Sequence, residues 1–153
     1  MQRYQIKQST RMLLLALSVG YAGMSQAHEA SAVTGEQADF LGYALVSCDP
    51  PSSYLEAAVK DLSGTVAGLH VNLLIIKGSQ ADSATDPVSG DNDFSPSARV
   101  DGGAGTYQLL VNKTAAGSRA FEVSYHCKVD NGLPGGEHTG TGITVKQFSS
   151  LNN

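Results

Sequence analysis

The sequence has no tryptophan, only two cysteines and few charges: 16% of its 153 residues are Asp, Glu, Lys or Arg, and 7% are aromatic. Each shortage narrows the function. Ten Lys and Arg against fourteen Asp and Glu leave no basic surface to neutralise phosphates, so no nucleic-acid partner is expected. Without tryptophan, and with Tyr43, Tyr54, Tyr107 and Tyr125 on rows that read mostly as core, the flat aromatic platforms of a glycan site are missing. There is no Gly-x-Ser-x-Gly elbow and no His-Glu-x-x-His pair. Glu122 and His126, four apart on one strand face, are separated by about 13 Å. No catalytic residue is assigned, and an enzyme ranks behind a binding protein. No apolar run approaches the roughly 20 residues that span a bilayer.

What the chain does have is an export pattern. Arg3, Lys7 and Arg11 precede the apolar run Met12 to Val19, and small side chains follow. These are the regions of a secretory signal peptide, with cleavage expected after Ala27 and Gly20-Tyr21-Ala22 as a second acceptable site. Removal of 1–27 leaves seven basic residues against fourteen acidic ones, a net charge of −7, and takes away all three methionines. The expected mature protein is therefore secreted or periplasmic, through bacterial-type export, with no membrane span of its own.

Cys48 and Cys127 both survive cleavage. In an oxidising compartment, a pair with no third candidate reads as one disulfide, and no Cys-x-x-Cys spacing supports a redox or thiolate-metal role.

The small, polar stretch that opens the mature chain reads as a mobile arm over 28–38, followed by one domain over 39–149 and a tail over 150–153. Within the domain, period-two alternation dominates. In Ala120 to Val129, the residues Phe121, Val123, Tyr125, Cys127 and Val129 share one face; Glu122, Ser124, His126 and Lys128 share the other. That register turns Cys127 inward and His126 outward. Tyr107, Leu109 and Val111 mark a second such strand, expected to pair with Ala120 to Val129 as a hairpin. Phe40 to Cys48, Leu69 to Lys77 and Ile143 to Phe148 are three more, Leu73 to Ile76 being apolar enough to be covered on both faces. Tyr54 to Leu62 fits a capped helix as well as a strand, with the strand reading favoured and turned back through Gly64 and Gly68 to meet Leu69. Ser79 to Ala98 reads as a long polar loop. Short strands divided by Gly, Pro, Asn and Asp predict an all-β antiparallel sandwich, Ig-like or jelly-roll-like, stapled by one disulfide.

The order Leu69-His-Val-Asn-Leu-Leu-Ile-Ile-Lys, a polar loop, Arg99-Val-Asp-Gly-Gly-Ala-Gly-Thr-Tyr-Gln-Leu-Leu-Val and Phe121-Glu-Val-Ser-Tyr resembles the bacterial pre-peptidase C-terminal domains over about residues 55–129. Those are small secreted β-sandwiches, usually appended to exported proteases. The resemblance implies a non-catalytic accessory or binding module. This chain departs from it in carrying no protease domain, and in having Asn72 where an acidic residue is more typical.

Two groups of side chains have metal-ligating chemistry. Asp82, Asp86, Asp91 and Asp93 supply the oxygen that calcium takes, although the EF-hand template fails at Pro96. His28 becomes the first residue if cleavage follows Ala27, so its α-amine and imidazole would be two ligands for copper; secreted β-sandwiches resembling copper chaperones or oxygenases use an N-terminal histidine with a second one. His126 and His138, with His70, are the available partners, and imidazole suits Cu(II). The leading expectation is a secreted, non-catalytic module that binds a protein or surface ligand through its loops, Asp82 to Asp93 first. The alternative is a metal protein, holding copper through His28 or calcium through the acidic loop.

Overall fold

Phe121, Val123, Tyr125 and Cys127 are buried, while Glu122, Ser124 and His126 between them are more open. Such alternation makes a chain segment two-faced, and two-faced strands are stable only when their apolar sides meet. The computed structural model describes residues 28–148, so the leader expected over 1–27 and the tail over 150–153 lie outside the described residues. Ten strands occur among the described residues: β1 (His28–Val33), β2 (Gly42–Cys48), β3 (Tyr54–Asp61), β4 (Val71–Lys77), β5 (Gln80–Thr85), β6 (Ala98–Val100), β7 (Gly105–Lys113), β8 (Ala120–Val129), β9 (Glu137–His138) and β10 (Thr141–Gln147). They form two antiparallel sheets, one in the order β1-β8-β3-β6 with β9 also on β8, the other β10-β2-β7-β4-β5. The protein is an all-β sandwich. No helix among the described residues is long and apolar enough to cross a membrane.

Leu55, Val59, Phe121 and Val123 of the first sheet share one core with Val46, Leu73, Ile75, Leu109 and Val111 of the second, all without exposure. Burying each such side chain stabilises the fold by about 1.5–3 kcal/mol. The Cys48–Cys127 disulfide joins β2 to β8, and hence one sheet to the other, with Cα atoms 5.4 Å apart. The expected staple is present.

Four readings of the sequence need correction. The segment expected to be a mobile arm contains β1, which pairs along β8 from His28 with Tyr125 to Val33 with Ala120. Its alternation is carried by alanines, Ala30 and Ala32 packing on the core, and this makes it look like a linker. The second correction is that β7 and β8 form no hairpin: β7 pairs with β2 and β4, and β8 with β1 and β3. Both strands bury a full apolar row, and the two rows meet across the core rather than side by side. The link between them crosses from sheet to sheet, held where the Lys113 ammonium donates to the carbonyls of Gly35 and Gly117. Likewise β3 is a strand but does not turn back onto β4, which lies in the other sheet. Finally, the polar stretch from Ser79 is not all loop, because β5 pairs with β4 along Gln80–Thr85.

The end of the sandwich where β3 stops and β8 begins is closed by a buried ion pair. Arg119 Nε donates to Asp61 Oδ2 at 2.8 Å, with side-chain exposures of 3% and 0%. Arg119 also donates to the Gly64 carbonyl, Asp61 Oδ1 accepts the Ser63 N–H, and the Asp61 N–H donates to Asp86 Oδ2. A buried charge left without its counter-charge is far costlier than the intact pair is stabilising. Arg119→Met is therefore expected to lower unfolding free energy by about 3 kcal/mol. Urea denaturation checks this, and a loss below about 1 kcal/mol would mean that Asp61 finds water once the guanidinium is gone.

Candidate metal centre

Strand β8 changes partner along its length. It pairs with β1 as far as Tyr125, opposite His28, and with β9 from Lys128, opposite His138. His126 lies between, at the seam. Three histidines from three strands thus gather on one sheet edge, with the His126 ring centroid 4.5 Å from that of His138 and 6.2 Å from that of His28. The His28 ring also stacks on Tyr125 at 5.8 Å.

Local sequence explains why β9 returns to this place. After β8, Asp130 Oδ1 accepts the Gly132 N–H and the Gly136 N–H donates to the Leu133 carbonyl, so the chain reverses in a few residues. Gly136 has φ +62°, and a Cβ there would lie 2.8 Å from the Val129 carbonyl oxygen, so only glycine fits. Beyond the turn, the Thr139 N–H donates to the Cys127 carbonyl and the Thr141 hydroxyl accepts the Cys127 N–H, which fixes His138 beside β8.

The electrostatics favour neutral rings. Burial, then the neighbouring His138, Lys128 and His28, push His126 down from 6.5 to about 4, with Glu56 pulling the other way. His138, though largely exposed, is lowered too, by partial loss of hydration first and then by Lys128 and His28, with Glu56 opposing. The Lys128 ammonium is itself paired with Glu56 Oε1 at 2.6 Å, which reduces the positive field at the site. A neutral imidazole offers a lone pair to a metal ion. His126 Nε2 lies 3.1 Å from the Ser124 hydroxyl, while its Nδ1 is buried without a partner. With Ser124 accepting from Nε2–H, the Nδ1 lone pair is the one left free; a metal-bound histidine commonly has its other ring nitrogen held by such a partner, which fixes the tautomer and the ring's orientation.

The three rings do not close on one point by themselves: among the described residues, no group of three or more His, Cys, Asp or Glu is placed to hold a metal ion. Their spacing nevertheless suits pairwise sharing. Two imidazoles bound to one ion through nitrogens about 2 Å away have centroids no more than about 6.4 Å apart, and both observed separations lie within that.

The remaining sequence candidates do not join this group. The N–H of His70 donates to the Thr114 hydroxyl on the link that leads into the start of β8, at the opposite end of the sandwich. Three of the four aspartate carboxylates are occupied by backbone donors, and Asp93 serves as the donor to Asp91. Asp82 accepts from Ser83 and Arg99, the buried Asp86 from Asp61 and Val88, and Asp91 from Asp93. Sequence reasoning singled out His28, His126 and His138 but missed Ser124, Tyr125 and the Glu56–Lys128 pair around them. Ser124 could have been found from the outward row that it shares with His126.

Comparison with protein-family models, curated proteins and solved structures finds no match, and so does not bear on the resemblance to pre-peptidase C-terminal domains.

The lowered His126 value carries a stability consequence. Above pH 6.5 the ring is neutral whether the chain is folded or not. Below it the unfolded chain takes up a proton that the folded chain refuses until about pH 4, so stability is lost as pH falls through that window. For a ring only partly shielded from water the loss is on the order of 1 kcal/mol. An NMR titration should find the His126 ring midpoint near 4, and His126→Asn should flatten the pH dependence of unfolding between 6.5 and 4. A ring midpoint at 6.5 would contradict this.

Proposed function

We propose that the protein is an exported, disulfide-stapled β-sandwich that binds a divalent transition metal, copper(II) foremost, through His28, His126 and His138. The observation that carries this reading is the meeting of three histidines at the seam where β8 exchanges β1 for β9. Cleavage after Ala27 would supply the missing ligand, since the freed α-amine of His28 forms a chelate with its own imidazole. Two imidazoles and one amine are then enough, without three converging side chains. An all-nitrogen set favours Cu(II), and Cu(I) gains nothing from a mature chain that has lost its methionines and whose two cysteines are bonded to each other.

No reaction is assigned to the centre, and the reading is of a metal-binding protein outside the cytoplasm. The test is to titrate the exported protein, its N-terminus verified by sequencing, with Cu(II), Zn(II) and Ca(II) at pH 7. Stoichiometric Cu(II) with nitrogen hyperfine structure in the electron paramagnetic resonance spectrum is the expected result. A mature chain that begins elsewhere than His28 and binds no Cu(II) would end the proposal. A melting temperature raised by Ca(II) alone would move the site to the acidic segment.

A further inference from the structure

The asparagines of the described residues are Asn72, Asn92, Asn112 and Asn131, and their surroundings differ. Asn72 and Asn112 are cross-strand partners in β4 and β7, with Asn72 Nδ2 donating to Asn112 Oδ1 at 2.9 Å, and the ladder holds both backbones extended. Asn92 is followed by Asp93, whose N–H is given to Asp91 Oδ1 and whose own Cβ crowds that peptide nitrogen. Asn131 is followed by Gly132 in the link between β8 and β9, where residues 131–135 are all exposed. A Cβ placed on Gly132 would meet nothing within 4 Å, so its peptide nitrogen is open to the Asn131 side chain and to water.

Two further contacts prepare this dipeptide to react with itself. The Leu133 N–H donates to Asn131 Oδ1 at 3.1 Å, which folds the side-chain amide back over the Gly132 peptide and polarises its carbonyl. The Gly132 N–H donates to Asp130 Oδ1 at 3.2 Å, so the attacking nitrogen already has a carboxylate on its proton. Arg99 lies 3.6 Å from the other oxygen of that carboxylate and steadies it. A base at the nucleophile and a donor at the carbonyl oxygen are what an acyl transfer draws on.

We propose that Asn131 is a self-modification site, deamidated through a succinimide formed with Gly132. The Gly132 nitrogen adds to Asn131 Cγ and gives its proton to Asp130. The Cγ–Nδ2 bond then breaks, and with that proton returned to it the side-chain nitrogen leaves as ammonia. Water opens the five-membered imide at either carbonyl, leaving an aspartyl or a β-aspartyl link. One water is consumed and one ammonia released, with no change of oxidation state. Both products add a negative charge, and the β-aspartyl form also adds an atom to the main chain, lengthening the link that returns β9 to β8.

The test incubates the exported protein near neutral pH with chelator present, digests samples at low pH, where the reaction is halted, and reads the fragment holding Asn131 by mass spectrometry for a gain of about 1 Da. Asn131 should convert to two chromatographically distinct products while Asn72, Asn92 and Asn112 stay intact, and the native chain should react at least as fast as a synthetic peptide of residues 128–136. Asp130→Ala, at an exposed position, should slow the reaction about fivefold while melting at the wild-type temperature. Asn131→Gln should abolish the gain, because its longer side chain must close a six-membered ring. A native chain slower than the peptide overturns the inference, since the fold would then protect the site. So does a rate that Asp130→Ala does not lower, and so does conversion of another asparagine ahead of Asn131.

Discussion

A chain that begins at His28 should bind Cu(II) about a hundredfold more tightly than the same chain with one alanine added in front, a difference of about 2.7 kcal/mol. The added residue turns the α-amine into an amide, which has no lone pair to give, and breaks the chelate while leaving the three imidazoles unchanged. His126→Ala should cost a similar factor, because that ring is held neutral and its Nδ1 is buried without another partner. His138→Ala should cost less: His138 is exposed and on a two-residue strand, so more of its freedom is lost on binding. Competition against a chelator of known affinity at pH 7 measures all three. Equal affinity for the chain that begins at His28 and the extended chain would remove the amine from the proposed site, and equal affinity for His126→Ala would remove the seam.

Removing the disulfide by the double substitution Cys48→Ala, Cys127→Ala should lower stability by about 4–5 kcal/mol, and the melting temperature by about 15 °C. The two residues are 79 apart in sequence, and freeing them returns a long loop's worth of entropy to the unfolded chain. Both sulfur positions are buried, at 3% and 0% exposure, so the smaller side chains also leave a gap between the sheets. Urea unfolding with and without reductant gives the same comparison in the native sequence. The effect should extend to the metal centre, because Cys127 and His126 are successive residues on opposite faces of β8. An unfolding midpoint that does not move on reduction would show that the core alone holds the layers together.

The strands that the sequence revealed best are those whose two faces differ most. Ala120 to Val129 was readable to the residue because large apolar and polar groups alternate without a break, which also gave the inward Cys127 and outward His126. The strand β1 was illegible because its inward residues include Ala30 and Ala32, too small to stand out from a polar background. Periodicity tells which side of a strand is buried but not which sheet it joins. This is why the β7 to β8 hairpin failed although both strands were found. The candidate site was legible as residues and not as a place. His28, His126 and His138 are more than a hundred residues apart from first to last, and only the pairing of β1 and β9 with the same strand brings them together.

That central strand is fastened at both ends, by a sulfur bond near its finish and by a sealed guanidinium–carboxylate contact where it starts, whereas β1 and β9 lie along its margin. Amide protons in the middle of β8 should accordingly exchange only when the whole molecule opens, and those of its two flanking segments far sooner. The three histidines therefore straddle backbone expected to exchange slowly and backbone expected to exchange fast: on the proposed function, an incoming ion would meet His126 already in place and would order His28 and His138 on binding.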